Sequence, residues 1–410
     1  MPEFFNVLAP DVAFEALKPM LTPLDDRDVV LTSSALGRVT ADYICSPEDL
    51  PAFKRSTMDG YSVRSRDTFG ASEGLPAYLE VVGEVRMGEA ADFRLAVGQA
   101  AKAYTGGMLA RDADAVVMVE RTQMLDETAI EVLRAVAPGE NVVQVGEDVR
   151  TGDTILEKGS IVRAQDIGGL LAQGVTSITV CRKPRVGIIS TGDELVPPDA
   201  QVGPGQIRDI NTYTISALVE QCGGEPITLA LAPDEFEEQR IAALNGLLSC
   251  DALVFSAGSS VSSRDLTAEV IDSLGEPGVI AHGISIKPGK PTVMGIVDGK
   301  PVFGLPGNPV SAMVVFDLLV RPAIFHLGGC LRIPSLPTIQ ATLERDIPSV
   351  AGREDYIPVS LDQTGECARA MPIFGKSNLI YTLIRSEGIV KVPLDKSGLY
   401  AGEAVRVRLY

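Results

Sequence analysis

Lys287 and Lys290 stand three residues apart on a stiff frame, Ile286-Lys287-Pro288-Gly289-Lys290-Pro291. Close behind, Phe303-Gly304-Leu305-Pro306-Gly307-Asn308-Pro309-Val310-Ser311 reads as a glycine-bearing loop that runs into a helix. Asn308 as N-cap and Pro309 at the first helical position open a helix whose N-terminus favours an anion. Two ammonium groups beside free backbone N–H groups point to an oxyanion, phosphate above all. Taken alone, Leu305–Pro309 reads equally well as a turn with a cap, and each lysine as a solvated one.

Carboxylates fall at matching places. Short apolar runs at 186–190, 227–231 and 252–255 are followed by Asp193-Glu194, by Asp234, and by a small-residue stretch holding Gly258 and Ser260 with Asp265 behind it. Small residues let backbone N–H groups approach a ligand closely. Carboxylates do not hold phosphate, but they hold Mg²⁺, which bridges to phosphate oxygens. Lysines, N–H groups and acids at one edge suit a nucleotide-type or pyrophosphate substrate with a metal. Three further polar turns lie upstream: Ser56-Thr57-Met58-Asp59-Gly60-Tyr61, Thr105-Gly106-Gly107 and Gly146-Glu147-Asp148. Read locally, each is only a turn.

Several chemistries are disfavoured. The two histidines, His282 and His326, are far apart in a chain of 410 residues, which argues against a Ser-His-Asp triad or a histidine zinc site. None of the six cysteines forms a C-x-x-C pair, so they read as reduced thiols of a cytoplasmic protein. A net charge of −18 without a basic run speaks against nucleic acid or an anionic membrane as partner. No signal-peptide pattern opens the chain, and no uncharged apolar run reaches membrane-spanning length.

These residues need a scaffold. With 45% apolar and 22% charged residues, a chain this long is globular and exceeds one core. Residues 12–21 read as a helix and 46–147 as a mostly β insertion. A linker follows, with a helix at 164–173 and a strand at 178–180. From 181 to 330 strands alternate with helices: strands at 186–190, 227–231, 252–255 and 301–303, helices at 211–220, 236–248, 266–274 and 309–327. Asn211 is expected to cap the first of these helices. That alternation predicts a doubly wound, mostly parallel α/β sheet with its ligand at the carboxyl ends of the strands. Strand patterns at 354–361, 388–393 and 404–409 predict a C-terminal β domain. The expected parts are 1–45 with 148–180, 46–147, 181–330, and 331–410.

Read in order, the motifs resemble those of the MoeA family of molybdopterin molybdenumtransferases, which includes the gephyrin E domain. The residues carrying the resemblance are 56–63, Ala113–Glu120, Gly146–Asp148, Ser190–Leu195, Lys287–Pro291, Gly304–Ser311 and Gly375–Ser377. The resemblance implies a MogA-like α/β domain, a C-terminal β-barrel-like domain and a homodimer. It implies insertion of molybdate into adenylylated molybdopterin, with release of AMP and formation of molybdenum cofactor. By position it assigns catalytic roles to Asp59, Asp148, Asp234, Asp265, Lys287 and Lys290, with Mg²⁺ on Glu194, Asp234 or Asp265. Thr105, Gly258, Ser260, Gly304, Pro306, Gly307, Asn308, Pro309 and Ser377 become substrate-binding residues. Asp59 is expected to face the α/β domain of the other subunit, and a MogA-type adenylyltransferase is an expected partner. The chain departs from the family pattern at Ala257, Ser262 and Arg264, at Thr105-Gly106-Gly107-Met108, and at Ile210 and Thr212 beside Asn211. Those changes keep two alternatives in view, a non-catalytic pterin-binding scaffold and a tungstate-preferring insertase.

Overall fold

The computed structural model describes residues 7–257, 261–365 and 367–410, without the side chains of 261–265. The chain forms two compact units. One comprises Met1–Asp42, Lys158–Ala164 and Ser177–Tyr410; the other comprises Tyr43–Glu157 and Gln165–Thr176.

The α/β part of the first unit runs β1 (Arg185–Thr191), α1 (Asn211–Gln221), β2 (Glu225–Ala232), α2 (Phe236–Ser249), β3 (Ala252–Ala257), α3 (Val261–Leu274), β4 (Pro277–His282), the two-residue β5 (Ile286–Lys287), β6 (Val293–Val297) and β7 (Lys300–Pro306). Pro309–Leu327 follows as one helix, α4, with a π-helical turn at Phe316–Val320. Strand order is β2-β1-β3-β7-β6-β4. The first four strands are parallel, and β6 and β4 add an antiparallel edge. These two edge strands were absent from the sequence reading. Glycines at 278, 283 and 295 break their apolar runs.

The strands read as continuous apolar runs because both faces are covered. Val186 and Ile188 join one core with α1, α4 and Phe303; Ile189, Leu253 and Phe255 join another with Val270 and Ile271. The apolar helix α4 is largely buried in the first of these cores, through Phe316, Leu319, Val320 and Ile324. Asn211 does not cap α1. It is the first helical residue, and Asp209 Oδ1 instead accepts the Thr212 N–H at 3.1 Å.

Beyond α4, β8 (Thr338–Leu343), β9 (Glu354–Asp362), β10 (Arg369–Pro372), β11 (Gly388–Val392) and β12 (Ala404–Leu409) close into a five-stranded barrel through the β9–β11 pairing. Its interior holds Leu343, Val359, Ala370, Val390 and Val407. β5 adds to the barrel through β9, so the first lysine of the Lys-Pro-Gly-Lys segment is paired opposite Asp355.

The second unit is built on a six-stranded sheet in the order Ala115–Met118, Gly60–Val63, Gln99–Ala103, Ala77–Glu84, Ala129–Val132, Thr122–Met124. Tyr61, Val63, Leu79, Ala100, Val117 and Ile130 fill one of its cores.

Candidate functional site

Register aligns the strand ends. Thr191 lies opposite Ala232, Ser190 opposite Ser256, and Ala257 opposite Pro306. The segments bearing Glu194, Asp234, Asp265 and Asn308 therefore leave the sheet on one rim. The hinge of that rim is Asn211, whose Nδ2 donates to Ser256 Oγ and to the Gly307 carbonyl, each at 2.8 Å. Below it, Ser190 Oγ lies 2.8 Å from Thr212 Oγ1, which donates to Asp209 Oδ2. Thr212, one of the departures from the family pattern, is a working member of this buried network.

Acids gather on the same rim. The Asp234 N–H donates to Asp193 Oδ1 at 3.2 Å. Burial first, then the charges of Asp193 and Glu194, push the Asp234 carboxyl above the usual carboxylate range. Its Oδ1 is buried without a hydrogen-bond partner. An anionic oxygen with no donor, beside two further carboxylates, fits a hard divalent cation. Among the described residues, no three His, Cys, Asp or Glu side chains gather into a metal site by themselves. Asp265 starts from the first turns of α3, but its side chain lies outside the described residues, as do Gly258 and Ser260.

The positive groups lie in a cleft of about 980 Å³ between β5, α4 and the barrel. Lys287, Lys290, Pro306, Asn308 and Ser377 line it, joined by Arg353, Phe374 and Lys376. Glu194 and Asp234 are not among the lining residues. The lysine loop is held shut by Ile284 N–H to the Lys290 carbonyl at 3.0 Å and Thr292 Oγ1 to the Gly289 carbonyl at 2.7 Å. Gly289 sits at φ +117°, and a Cβ there would come within 2.6 Å of Ile286 Cδ1 and Val315 Cγ2. Both lysine side chains stay exposed. Arg353 is held by Asp355, itself 1% exposed, through Nε to Oδ1 at 2.8 Å.

One expectation about the Gly304–Ser311 stretch needs correction. Gly304, Leu305 and Pro306 are not loop but the buried end of β7. Gly304 pairs with Phe255 and Val293, and a Cβ would lie 2.9 Å from Thr267 Cγ2. Packing therefore accounts for this glycine without a ligand. Pro309 does begin α4 after Asn308, yet Asn308 caps through its backbone alone. At this helix start the Val310 N–H donates to the Ser377 carbonyl at 3.1 Å. That bond ties the helix start to the barrel and brings Ser377 into the cleft.

In the other unit, Asp59 and Thr105 are bonded to each other. Asp59 Oδ1 accepts the Thr105 N–H at 2.7 Å and its hydroxyl at 3.0 Å. The N–H first, and then the hydroxyl, hold the Asp59 carboxyl below its ordinary range. Asp148 is exposed in a turn whose N–H donates to the Leu50 carbonyl.

Sequence reasoning had missed Arg353, Phe374 and the Asn211 crosslink. Arg353 sits in an ordinary Gly-Arg turn with no spacing signal. Asn211 carried a signal, but it was read as a cap.

Comparison with known proteins bears on all of these segments. Residues 9–174 match the family model for the MoeA N-terminal region (domain I and II), and residues 340–410 that for the MoeA C-terminal region (domain IV). Residues 187–326 match a model described as a "probable molybdopterin binding domain". The chain is 32% identical over 397 residues to a molybdopterin molybdenumtransferase of Nostoc sp., covering 95% of this chain and 90% of that one. A crystal structure of a molybdopterin biosynthesis MoeA protein from Pyrococcus horikoshii OT3 superposes with a TM-score of 0.86 at 32% identity, over 99% of this chain and 100% of that one. Another MoeA crystal structure, from Pyrococcus horikoshii, shares 38% identity, with a TM-score of 0.81 over 98% and 99% of the two chains.

Proposed function

The chain belongs to the MoeA family, and on that premise we propose that it is a molybdopterin molybdenumtransferase of molybdenum cofactor biosynthesis. Its substrates on this reading are molybdate and adenylylated molybdopterin; its products are molybdenum cofactor and AMP. In the reaction the phosphoanhydride P–O bond is cut and water supplies the oxygen that completes the two phosphates; molybdate exchanges oxygens for the thiols of the pterin, and the displaced oxygens leave as water with the thiol protons.

The observation that carries the reading is the cleft. In a protein of net charge −18, Lys287, Lys290, Arg353 and Lys376 converge on one cavity. Such a concentration of cations in an acidic molecule binds small anions locally while the rest of the surface repels nucleic acid. Lys287 and Lys290, on a loop closed by two hydrogen bonds, would hold molybdate oxygens and the phosphates. Their charge would stabilise the departing phosphate. Pro306, Gly307, Asn308 and Pro309 would shape the wall beside them, and Ser377 would offer its hydroxyl.

Glu194, Asp234 and Asp265 would hold Mg²⁺, with the orphaned Asp234 Oδ1 as the strongest support. When bound, the ion would offset charge on the phosphoanhydride. Asp193 holds the Asp234 backbone, and Asn211 holds the Ser256 and Gly307 segments in fixed relation. Gly258 and Ser260 follow Ser256 and would offer backbone N–H groups to the pyrophosphate. Asp59, oriented by Thr105, and Asp148 would complete the site from the second chain of a homodimer. The proposed parts are 1–45 with 148–180, 46–147, 181–330, and 331–410. Proposed location is the cytoplasm, in keeping with six free cysteines. A MogA-type enzyme would supply the adenylylated substrate.

The test is direct. Purified protein, adenylylated molybdopterin, molybdate and Mg²⁺ are expected to give AMP and molybdenum cofactor; absence of both products rejects the proposal.

A further inference from the structure

Phe374 is a large apolar side chain left 55% exposed in the wall of a cationic cleft. Its exposure does not come from a loose segment. The residue before it is pinned by Ile373 N–H to the Pro358 carbonyl at 2.9 Å. Three residues on, the Ser377 carbonyl accepts the Val310 N–H of α4 at 3.1 Å. Between them, Gly375 packs so tightly against Thr382 that a Cβ would collide with its Cγ2. The turn closes with Leu379 N–H to the Lys376 carbonyl at 3.0 Å. The ring is therefore presented from a backbone fixed at both ends, with Lys376 as its close neighbour in the chain.

The size of the cleft argues in the same direction. A tetrahedral oxyanion fills a small part of about 980 Å³, a volume that admits a drug-sized organic ligand. Its charged lining is predominantly cationic. Lys287, Lys290 and Lys376 are exposed there, while the acid Asp355 is buried and engaged by Arg353. Anionic groups can be held by the lysines, and the apolar face of Phe374 is left for a flat, electron-poor ring. Offset stacking of such a ring on a phenyl face adds to simple area burial.

We propose that Phe374 is the stacking platform for the bicyclic heteroaromatic ring of the anionic pterin substrate, so that this cleft takes the organic substrate and not the oxyanion alone. The inference rests on the proposed pterin substrate and specifies where its ring lies.

The probes are pterin-6-carboxylate, followed by its own fluorescence, and molybdate, followed by calorimetry. Phe374→Ala is expected to weaken pterin-6-carboxylate binding about tenfold or more and to leave molybdate binding unchanged. Phe374→Tyr restores the pterin affinity, whereas Lys287→Ala with Lys290→Ala weakens both probes. In the insertion reaction, Phe374→Ala raises KM for adenylylated molybdopterin and leaves KM for molybdate at its wild-type value. Because the side chain is exposed, these variants test binding and not folding; thermal midpoints equal to wild type check this. Equal pterin-6-carboxylate affinity in wild type and Phe374→Ala overturns the inference, and so does failure of the wild type to bind that probe. The proposed function stands or falls separately, on whether the wild type releases AMP.

Discussion

Asp234 presents a carboxylate whose ionised form is disfavoured by burial and by Asp193 and Glu194, and whose Oδ1 has no donor. A group in that condition costs the fold something unless a cation neutralises it. Asp234→Asn is therefore expected to leave the metal-free thermal midpoint unchanged or slightly higher, and to abolish the rise in midpoint on adding Mg²⁺. Turnover should fall by about 10–100-fold. A lowered midpoint with unchanged turnover would remove Asp234 from the proposed metal set. Asp59 is the opposite case, a carboxylate held low by two donors from one residue, Thr105. Sequence made Asp59 and Thr105 visible as separate turns. Only the fold shows that one orients the other, because they lie 46 positions apart with three sheet strands between them.

Elements differ in how plainly their sequence announced them. The parallel strands β1 and β3 were legible because unbroken apolar runs bounded by turn residues mean burial on both faces. α4 was legible from Asn308-Pro309 at its start and its long apolar body. The antiparallel edge was not, because glycines at 278, 283 and 295 cut its periodicity. The end of β7 was mistaken for a loop, since Gly304 and Pro306 are turn residues by type and strand residues by packing. The π-helical turn of α4 could not be foreseen, and it matters to the contact with the barrel. Asp317 in that turn accepts from Arg408 of β12 at 3.0 Å. Burial raises the Asp317 carboxyl above its ordinary value although Arg408 and Arg321 pull it down. Removing the guanidinium leaves a buried charge without its partner, so Arg408→Ala should cost about 3–5 kcal/mol at neutral pH. Asp317→Asn should cost less. A carboxyl whose folded pKa lies above its unfolded one contributes stability at low pH that is lost as pH rises through the folded value. The Arg408→Ala deficit in urea midpoint should thus shrink as the pH is lowered toward 4.5. A deficit independent of pH would show that lost packing, and not the stranded carboxylate, is what the mutation exposes.

At the scale of the whole molecule, the acids and lysines of the proposed site are spread over both compact units, Asp59 and Asp148 in one and Glu194, Asp234 and Lys290 in the other. In the proposed homodimer, the partner's second unit would complete each site. Light scattering at micromolar concentration should therefore give twice the 43.4 kDa chain mass; a monomer contradicts it. Co-expression of an Asp59→Asn chain with a Lys290→Ala chain, each inactive alone, should restore about a quarter of wild-type activity, since random pairing rebuilds one intact site in half of the dimers. No recovery would place both residues in a site made by a single chain. The proposed insertase activity depends on the cationic cleft. It is tested most directly by AMP release from adenylylated molybdopterin in single turnovers with Mg²⁺, with and without molybdate, in wild type and in the Lys287→Ala, Lys290→Ala double variant. AMP release should depend on molybdate in the wild type and fall at least about 100-fold in the folded double variant, as expected when charges that stabilise a leaving phosphate are removed. Wild-type release of no AMP, or equal release by the double variant, would contradict it.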